Sequence, residues 1–209
     1  MPAPQRPIRP AVTALMAEER AKRLQAAQRA AEIVGACQVM SHPYLARKGF
    51  KTQAGLVFSD GRLVVPMRHW IDYRRLQSVQ FINDAGEKKF LPGGAAQDAV
   101  YVIGPHGAPE TYVVEGLATG YSVQAALRLL HRPARVMVCF SAGNLARVGA
   151  QLTGFVRVVA DCDASRAGEE AARKTGHPWV MPDAVGLDAN DLQQQLGLGA
   201  LVDLLWGVL

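Results

Sequence analysis

From residue 110 onward, short apolar runs alternate with helix-forming stretches, and this alternation constrains the fold more than any other feature of the chain. Thr111–Val114, Val136–Phe140, Val156–Ala160 and Trp179–Met181 read as strands. Helical patterns lie between them over Ala118–His131, Leu145–Leu152 and Ala167–Thr175, and a last helical segment begins at Asn190–Leu196. Strands separated by helices are joined by crossovers, so they run parallel and are covered on both faces. The predicted class is α/β.

The first half follows a different rhythm. Residues 1–10 are rich in proline and read as a loose tail. Ala11–Ala36 carries good helix formers with a thin stripe of Ala14, Ala17, Ala21, Leu24 and Ala31, predicted to pack on its own domain. His42-Pro43-Tyr44-Leu45 opens a short helix that a glycine, Gly49, stops. Strand signals follow at Leu56–Phe58, Leu63–Met67, Leu76–Ile82 and Lys89–Leu91, separated by the turn sequences Ser59-Asp60-Gly61-Arg62 and Asn83-Asp84-Ala85-Gly86. The Gly104–Pro109 linker is the natural boundary. It divides a helix-plus-β subdomain, 11–109, from a parallel-sheet domain, 110–209.

Charge divides at the same place. Residues 1–109 hold 15 Lys and Arg against 8 Asp and Glu, whereas residues 110–209 hold 8 against 10. A basic half beside an acidic half suggests polyanion binding next to cation binding. No apolar run approaches the roughly 18 residues a bilayer span requires. The N-terminus lacks the apolar stretch of a secretory signal. Cys37, Cys139 and Cys162 are too scattered for a zinc ribbon or a disulfide framework. The expectation is a cytoplasmic protein with no membrane partner.

In an open parallel sheet, ligands gather beyond the carboxyl ends of the strands. Glu115 follows the first strand of the second half, Asp161 and Asp163 follow the third, and Asp188, Asn190 and Asp191 follow the fourth. Asp161 and Asp163, spaced i, i+2 in extended chain, point the same way. Several carboxylates on one edge repel unless a cation neutralises them. The donors are hard oxygens, which favour magnesium or manganese over zinc. Read singly, Asp163 and Asp188 are also ordinary helix caps.

Glu115-Gly116 after one strand, Asp161-x-Asp163 after a later one and the trailing acidic turn resemble the Toprim domain of primases, topoisomerases and some nucleases. Upstream, Gly61-Arg62-Leu63-Val64-Val65-Pro66-Met67-Arg68, Lys88-Lys89-Phe90-Leu91-Pro92 and Tyr101-Val102-Ile103-Gly104 resemble the basic subdomain that precedes Toprim in bacterial replicative and phage- or plasmid-borne primases. The phage/plasmid type is most similar, through His42-Pro43-Tyr44-Leu45, Phe90-Leu91-Pro92-Gly93-Gly94, Glu115-Gly116-Leu117-Ala118-Thr119 and Ser141-Ala142-Gly143-Asn144. The chain departs from replicative primases at Thr119, where they carry an acid, and from the phage/plasmid type at Arg166, where glycine is frequent.

The resemblance implies metal-assisted primer synthesis: an RNA polymerase of primase type working on single-stranded DNA with ribonucleoside triphosphates. Glu115, Asp161 and Asp163 are its expected catalytic acids and Mg2+ or Mn2+ ligands, with Asp188 and Asp191 as further ligands. Glu115 is either a ligand or a proton acceptor. Lys88 and Lys89, then Arg68, Arg74 and Arg75, with Arg47 and Lys48 behind them, are the expected template contacts. Trp70, Tyr73 and Phe90 are candidates for base stacking, and Phe90 reads equally as core. Gly116, Ser141, Gly143, Asn144 and Arg166 are candidates for nucleotide binding; Ser141 and Asn144 read equally as plain helix caps. Neither a zinc module nor a G-x-x-x-x-G-K-[ST] motif is present, so either a helicase or template-recognition partner resides on another chain or this is a reduced catalytic core. A Toprim nuclease and a non-catalytic nucleic-acid-binding module are the alternatives.

Overall fold

The computed structural model describes the backbone of residues 10–209 and the side chains of residues 15–209. The predicted tail lies almost wholly outside these residues, as does the side chain of Ala14. In chain order the elements are α1 (Pro10–Ala36), β1 (Gln38–Met40), α2 (Pro43–Arg47), β2 (Gly55–Val57), β3 (Leu63–His69), β4 (Leu76–Ile82), β5 (Lys88–Phe90) and β6 (Ala99–Ile103). They continue with β7 (Glu110–Val114), α3 (Leu117–Leu129), β8 (Ala134–Val138), α4 (Ala142–Gly149), β9 (Phe155–Val159), α5 (Ala167–Thr175), β10 (Trp179–Val180) and α6 (Ala189–Trp206). The protein is a mixed α/β fold.

The second half forms the parallel sheet that its alternation requires. β7 lies between β8 and β9, parallel to both, and β10 extends the sheet beyond β9. The first half is antiparallel: β3 carries β4 along one edge and, along the other, β2 at its start and β6 at its end. β6 also pairs antiparallel with β8, so one ten-stranded sheet runs through both halves. The Gly104–Pro109 segment is the connection from β6 to β7.

Period-two alternation sorts the strand residues into layers. Leu63, Val65, Met67, Ile82, Tyr112, Val114, Val136, Val138 and Val159 face one core, covered by α2, α3 and α6. Val113, Met137, Val156 and Val158 face the other side, where Leu145 and Val148 of α4 and Ala171 and Ala172 of α5 cover them. Val64, Val79 and Phe81 face α1. That helix packs on the sheet as expected, but through Ala26 and Ala30 with Ile33 and Val34, not through the predicted stripe, of which Leu24 is exposed. A helix of alanine and alternating charge carries little periodic signal, so its two larger C-terminal apolar residues set the face.

The last helix also runs further than its sequence suggests. Gly197 has φ 87°, a conformation that favours glycine and breaks the helical path, yet the chain resumes the helix to Trp206. Leu201 and Leu205 in this second part are fully buried.

Candidate active site

β7, β8 and β9 end together: Val114 aligns with Val138 on one side and Val159 on the other. Glu115 therefore emerges level with Cys139 and Ala160, and Asp161 one residue further. Asp188 arrives by a different route. A single antiparallel bridge joins Cys162 to Leu187, with Cys162 N–H donating to Leu187 O at 3.0 Å, and this lays Asp188 against the end of β9.

These acids open into a cavity of about 450 Å3, lined by Glu115, Asp161 and Asp188 together with Arg47, Lys48 and Lys88. Tyr44, Gln80, Phe90, Gly116, Thr119 and Phe140 complete its walls. The basic lining residues thus come from the first half of the sequence and the acidic ones from the second. Lys88 Nζ would lie 3.8 Å from a Cβ placed on Gly116, so the lysine stands over the start of α3 beside Glu115.

Electrostatics follow from that geometry. Burial pushes the Asp161 carboxyl up to about 7, reinforced by the negative charges of Asp188 and Glu115 and opposed by Lys88. Burial likewise raises Glu115, again opposed by Lys88. Tyr44 is pushed up to about 12, first by burial and then by Asp188. Asp161 Oδ1 is buried with no hydrogen-bond partner, an expensive arrangement for a polar atom unless a cation completes it. That orphaned oxygen and the all-oxygen donor set fit a hard divalent ion. As the side chains lie, no three His, Cys, Asp or Glu groups among the described residues converge closely enough to enclose one.

Two predicted ligands have other occupations. Asp163 accepts from Ser165 Oγ, from Ala167 N–H at 3.3 Å and from Gly168 N–H at 3.2 Å. These donors hold its carboxyl below the usual range, with the Ser165 hydroxyl contributing most. Asp163 thus bonds the start of α5 and does not line the cavity. Asp191 and Asp188 form a reciprocal capping box on α6, Asp191 N–H donating to Asp188 Oδ1 at 2.8 Å. Asp191 also pairs with Lys48 Nζ at 3.2 Å.

The basic residues divide by strand face. Lys88 and Phe90 line the cavity, whereas Lys89, between them on β5, is directed to the opposite face. Arg68 donates to the carbonyl oxygens of Tyr73 and Arg74, which ties it to the turn after β3. With Tyr73 and Arg74 it borders a separate shallow depression, and Arg75 borders a groove against α1. Trp70 and Tyr73 pack on the core beneath α4. Phe90 is 40% exposed at the cavity and meets Phe140 edge to face, with ring centroids 6.4 Å apart.

The nucleotide-binding candidates are similarly divided. Gly116 caps α3 at the cavity. Ser141 caps α4, accepting from Asn144 N–H at 3.2 Å. The Asn144 amide is buried and fully engaged, donating to Ala99 O at 2.7 Å and Cys139 O at 2.9 Å and accepting from Asp98 N–H at 2.8 Å. It joins β6 to the end of β8. Gly143 sits in the first turn of α4 with open space beside it. Arg166 has φ 60°, which explains why glycine suits this position, and donates to Glu169 Oε2 at 2.9 Å.

Tyr44, Gln80 and Thr119 in the cavity wall were not among the predicted site residues; the placement of α2 brings Tyr44 there and the pairing of β4 with β5 brings Gln80, whereas Thr119, in the first turn of α3 shortly after Glu115, was within reach of the sequence spacing. Among the described residues no helix is long and apolar enough to cross a membrane.

No family model and no curated protein matches the sequence. Solved structures do. The chain is similar to one from the bacteriophage T7 lagging-strand DNA polymerase interacting with primase domains of two gp4 subunits bound to an RNA/DNA hybrid and dTTP: TM-score 0.55, 14% identity, covering 81% of this chain and 92% of that one. It is also similar to the primase fragment of the bacteriophage T7 primase-helicase protein: TM-score 0.50, 16% identity, covering 69% of this chain and 63% of that one. The chain has the fold of a phage-type primase fragment.

Proposed function

We propose that this chain is the catalytic core of a DNA primase, joining ribonucleotides on a single-stranded DNA template. One observation carries the reading: the carboxylates of Glu115, Asp161 and Asp188 and the basic side chains of Arg47, Lys48 and Lys88 line one cavity. Such a cavity suits a triphosphate, whose negative charge requires cations on both sides. The phage neighbour with primase domains bound to an RNA/DNA hybrid and dTTP supports the same reading at the level of fold.

The reaction forms a bond between a 3′-oxygen and an α-phosphorus, breaks the bond from that phosphorus to the bridging oxygen, and releases pyrophosphate. Arg47, Lys48 and Lys88 would bind and orient the triphosphate by direct charge. Glu115, with its raised affinity for protons and its place beside Lys88, is suited to accept the hydroxyl proton. Phe90 offers a ring edge at the cavity mouth against which a base would pack. Asp161 and Asp188 would hold Mg2+ or Mn2+, with Asp163 and Asp191 as outer oxygens; a bound ion would neutralise phosphate charge and acidify the hydroxyl. A helicase partner belongs to the same proposal, because one phage neighbour is a primase-helicase protein.

The test is incubation with single-stranded DNA, labelled ribonucleotides and magnesium or manganese. Short oligoribonucleotides are expected from the parent and none from Asp161→Ala. Equal products from both proteins overturn the assignment. Metal-dependent cleavage of the DNA without nucleotides would instead identify a nuclease.

A further inference from the structure

One buried amide ties α2 to α6 beside the cavity. Asn190, in the first turn of α6, is fully buried. Its Nδ2 donates to Lys48 O at 2.9 Å and to Ser122 Oγ at 3.0 Å, while its Oδ1 accepts from Gln194 Nε2 at 2.9 Å. A single side chain thereby contacts the end of α2, the middle of α3 and the next turn of α6. Its neighbours in sequence belong to the cavity rim: Asp188 lines it, and Asp191 pairs with Lys48.

We infer that Asn190 is a positioning residue that clamps the end of α2 to the start of α6, setting the distance of Arg47 and Lys48 from Asp188 and Asp161. For the identity of the ligand this rests on the primase reading; the clamp itself does not.

The Lys48–Asp191 ion pair is a weaker tie. Both side chains are partly exposed, at 27% and 30%, and such pairs contribute little alone. The amide bond to Lys48 O is buried and made to backbone, so it holds whatever the lysine head group does. Tyr44 and Leu45 anchor the rest of α2 in the main core. Loss of the clamp should therefore leave α2 folded and attached but free to shift at its C-terminal end. That end carries Arg47 and Lys48, two of the three basic residues that line the cavity. A shift of about 1 Å there would loosen a triphosphate held between two sets of charges.

Asn190→Leu keeps the volume and removes the donors. Hydrogen exchange read by mass spectrometry should quicken at least about tenfold over residues 44–50, with the parallel strands unchanged. Binding of magnesium-ATP should weaken about tenfold while single-stranded DNA binding stays within about twofold. Ser122→Ala, which leaves the bond to Lys48 O intact, should match the parent in residues 44–50. Should Asn190→Leu not fold, Asn190→Ser, too short to reach Lys48 O, is read the same way. Parental exchange over residues 44–50 in the Asn190 variant overturns the clamp. Faster exchange with unchanged ATP affinity overturns its bearing on ligand spacing. A parent that binds no ATP sinks the primase reading, and the exchange result still decides the clamp.

Discussion

Gly168 lies directly against the backbone of Asp161: a Cβ on the glycine would stand 2.2 Å from the aspartate's carbonyl oxygen and 3.2 Å from its amide nitrogen. The obstacle is main chain at the end of β9, which cannot swing aside as a side chain could. Gly168→Ala should destabilise the protein by about 1–3 kcal/mol, the range for overpacking, and displace Asp161 as α5 is pushed away. Chemical denaturation measures the first effect and nucleotide incorporation the second. A variant of parental stability would mean that α5 can retreat freely.

Asp161 supplies a pH prediction. Its folded carboxyl, at about 7, is raised above the ordinary 3.8, so the folded state holds a proton over an interval in which the unfolded chain has lost it. Its contribution to stability is therefore present at low pH and is lost as pH rises from about 4 through 7; Glu115, also raised by burial, acts in the same direction. Asp161→Asn should melt higher than the parent at pH 8 and show no such advantage near pH 4. Added magnesium or manganese should raise the parent's melting temperature at pH 8 and leave the variant's nearly unchanged. Thermal melts across pH, with and without metal, check both statements.

Lys88 and Lys89 are adjacent in sequence and on opposite faces of β5. Lys88→Met should reduce nucleotide incorporation by about ten- to a hundredfold, the scale on which loss of one preorganised charge in a reaction cleft is felt. Lys89→Met should cost less than about threefold, acting only through weaker attraction of DNA. Equal losses from both variants would mean that the template wraps around the strand.

Arg166 occupies left-handed backbone at the start of α5 while pairing with Glu169 through an exposed side chain. Relieving the backbone is worth about 1 kcal/mol, and exposed pairs contribute at most about as much. Glu169 also keeps Arg173, whose Nη2 lies 2.8 Å away, as a second partner. Arg166→Gly should therefore be neutral to slightly stabilising in a thermal melt. If Arg166 binds nucleotide, ATP affinity will fall even as stability holds, which separates the two roles.

Glu115 and Asp161 were legible in the sequence because each follows a strongly apolar run, and parallel strands bring their carboxyl ends together. Asp188 was legible as an acid after a strand, but its approach to Asp161 depends on the Cys162–Leu187 bridge, which leaves no local pattern. The engagement of Asp163 with α5 and of Asp191 with Lys48 was hidden for a similar reason: a D-x-D at a helix start has the same spelling whether it caps or coordinates. β6 could have been read from Ala99–Ile103, an apolar run beside a glycine turn, yet its pairing with both β3 and β8 is a long-range choice. β1, three exposed residues, offers neither alternation nor burial to detect. Arg47, Lys48 and Lys88 were named as basic contacts, but their meeting with the acids was not legible, because α2 reaches them through long-range ties: Asn190, the Lys48–Asp191 pair and the core beneath.

The double pairing of β6 has a mechanical consequence. Cleavage in the Gly104–Pro109 turn would leave β6 on the upstream fragment and β8, its partner, on the downstream one, each presenting a bare edge to the other. Separately expressed halves should thus be sticky in isolation and mutually adhesive when mixed, making this turn a natural place to divide the protein into a reassembling pair.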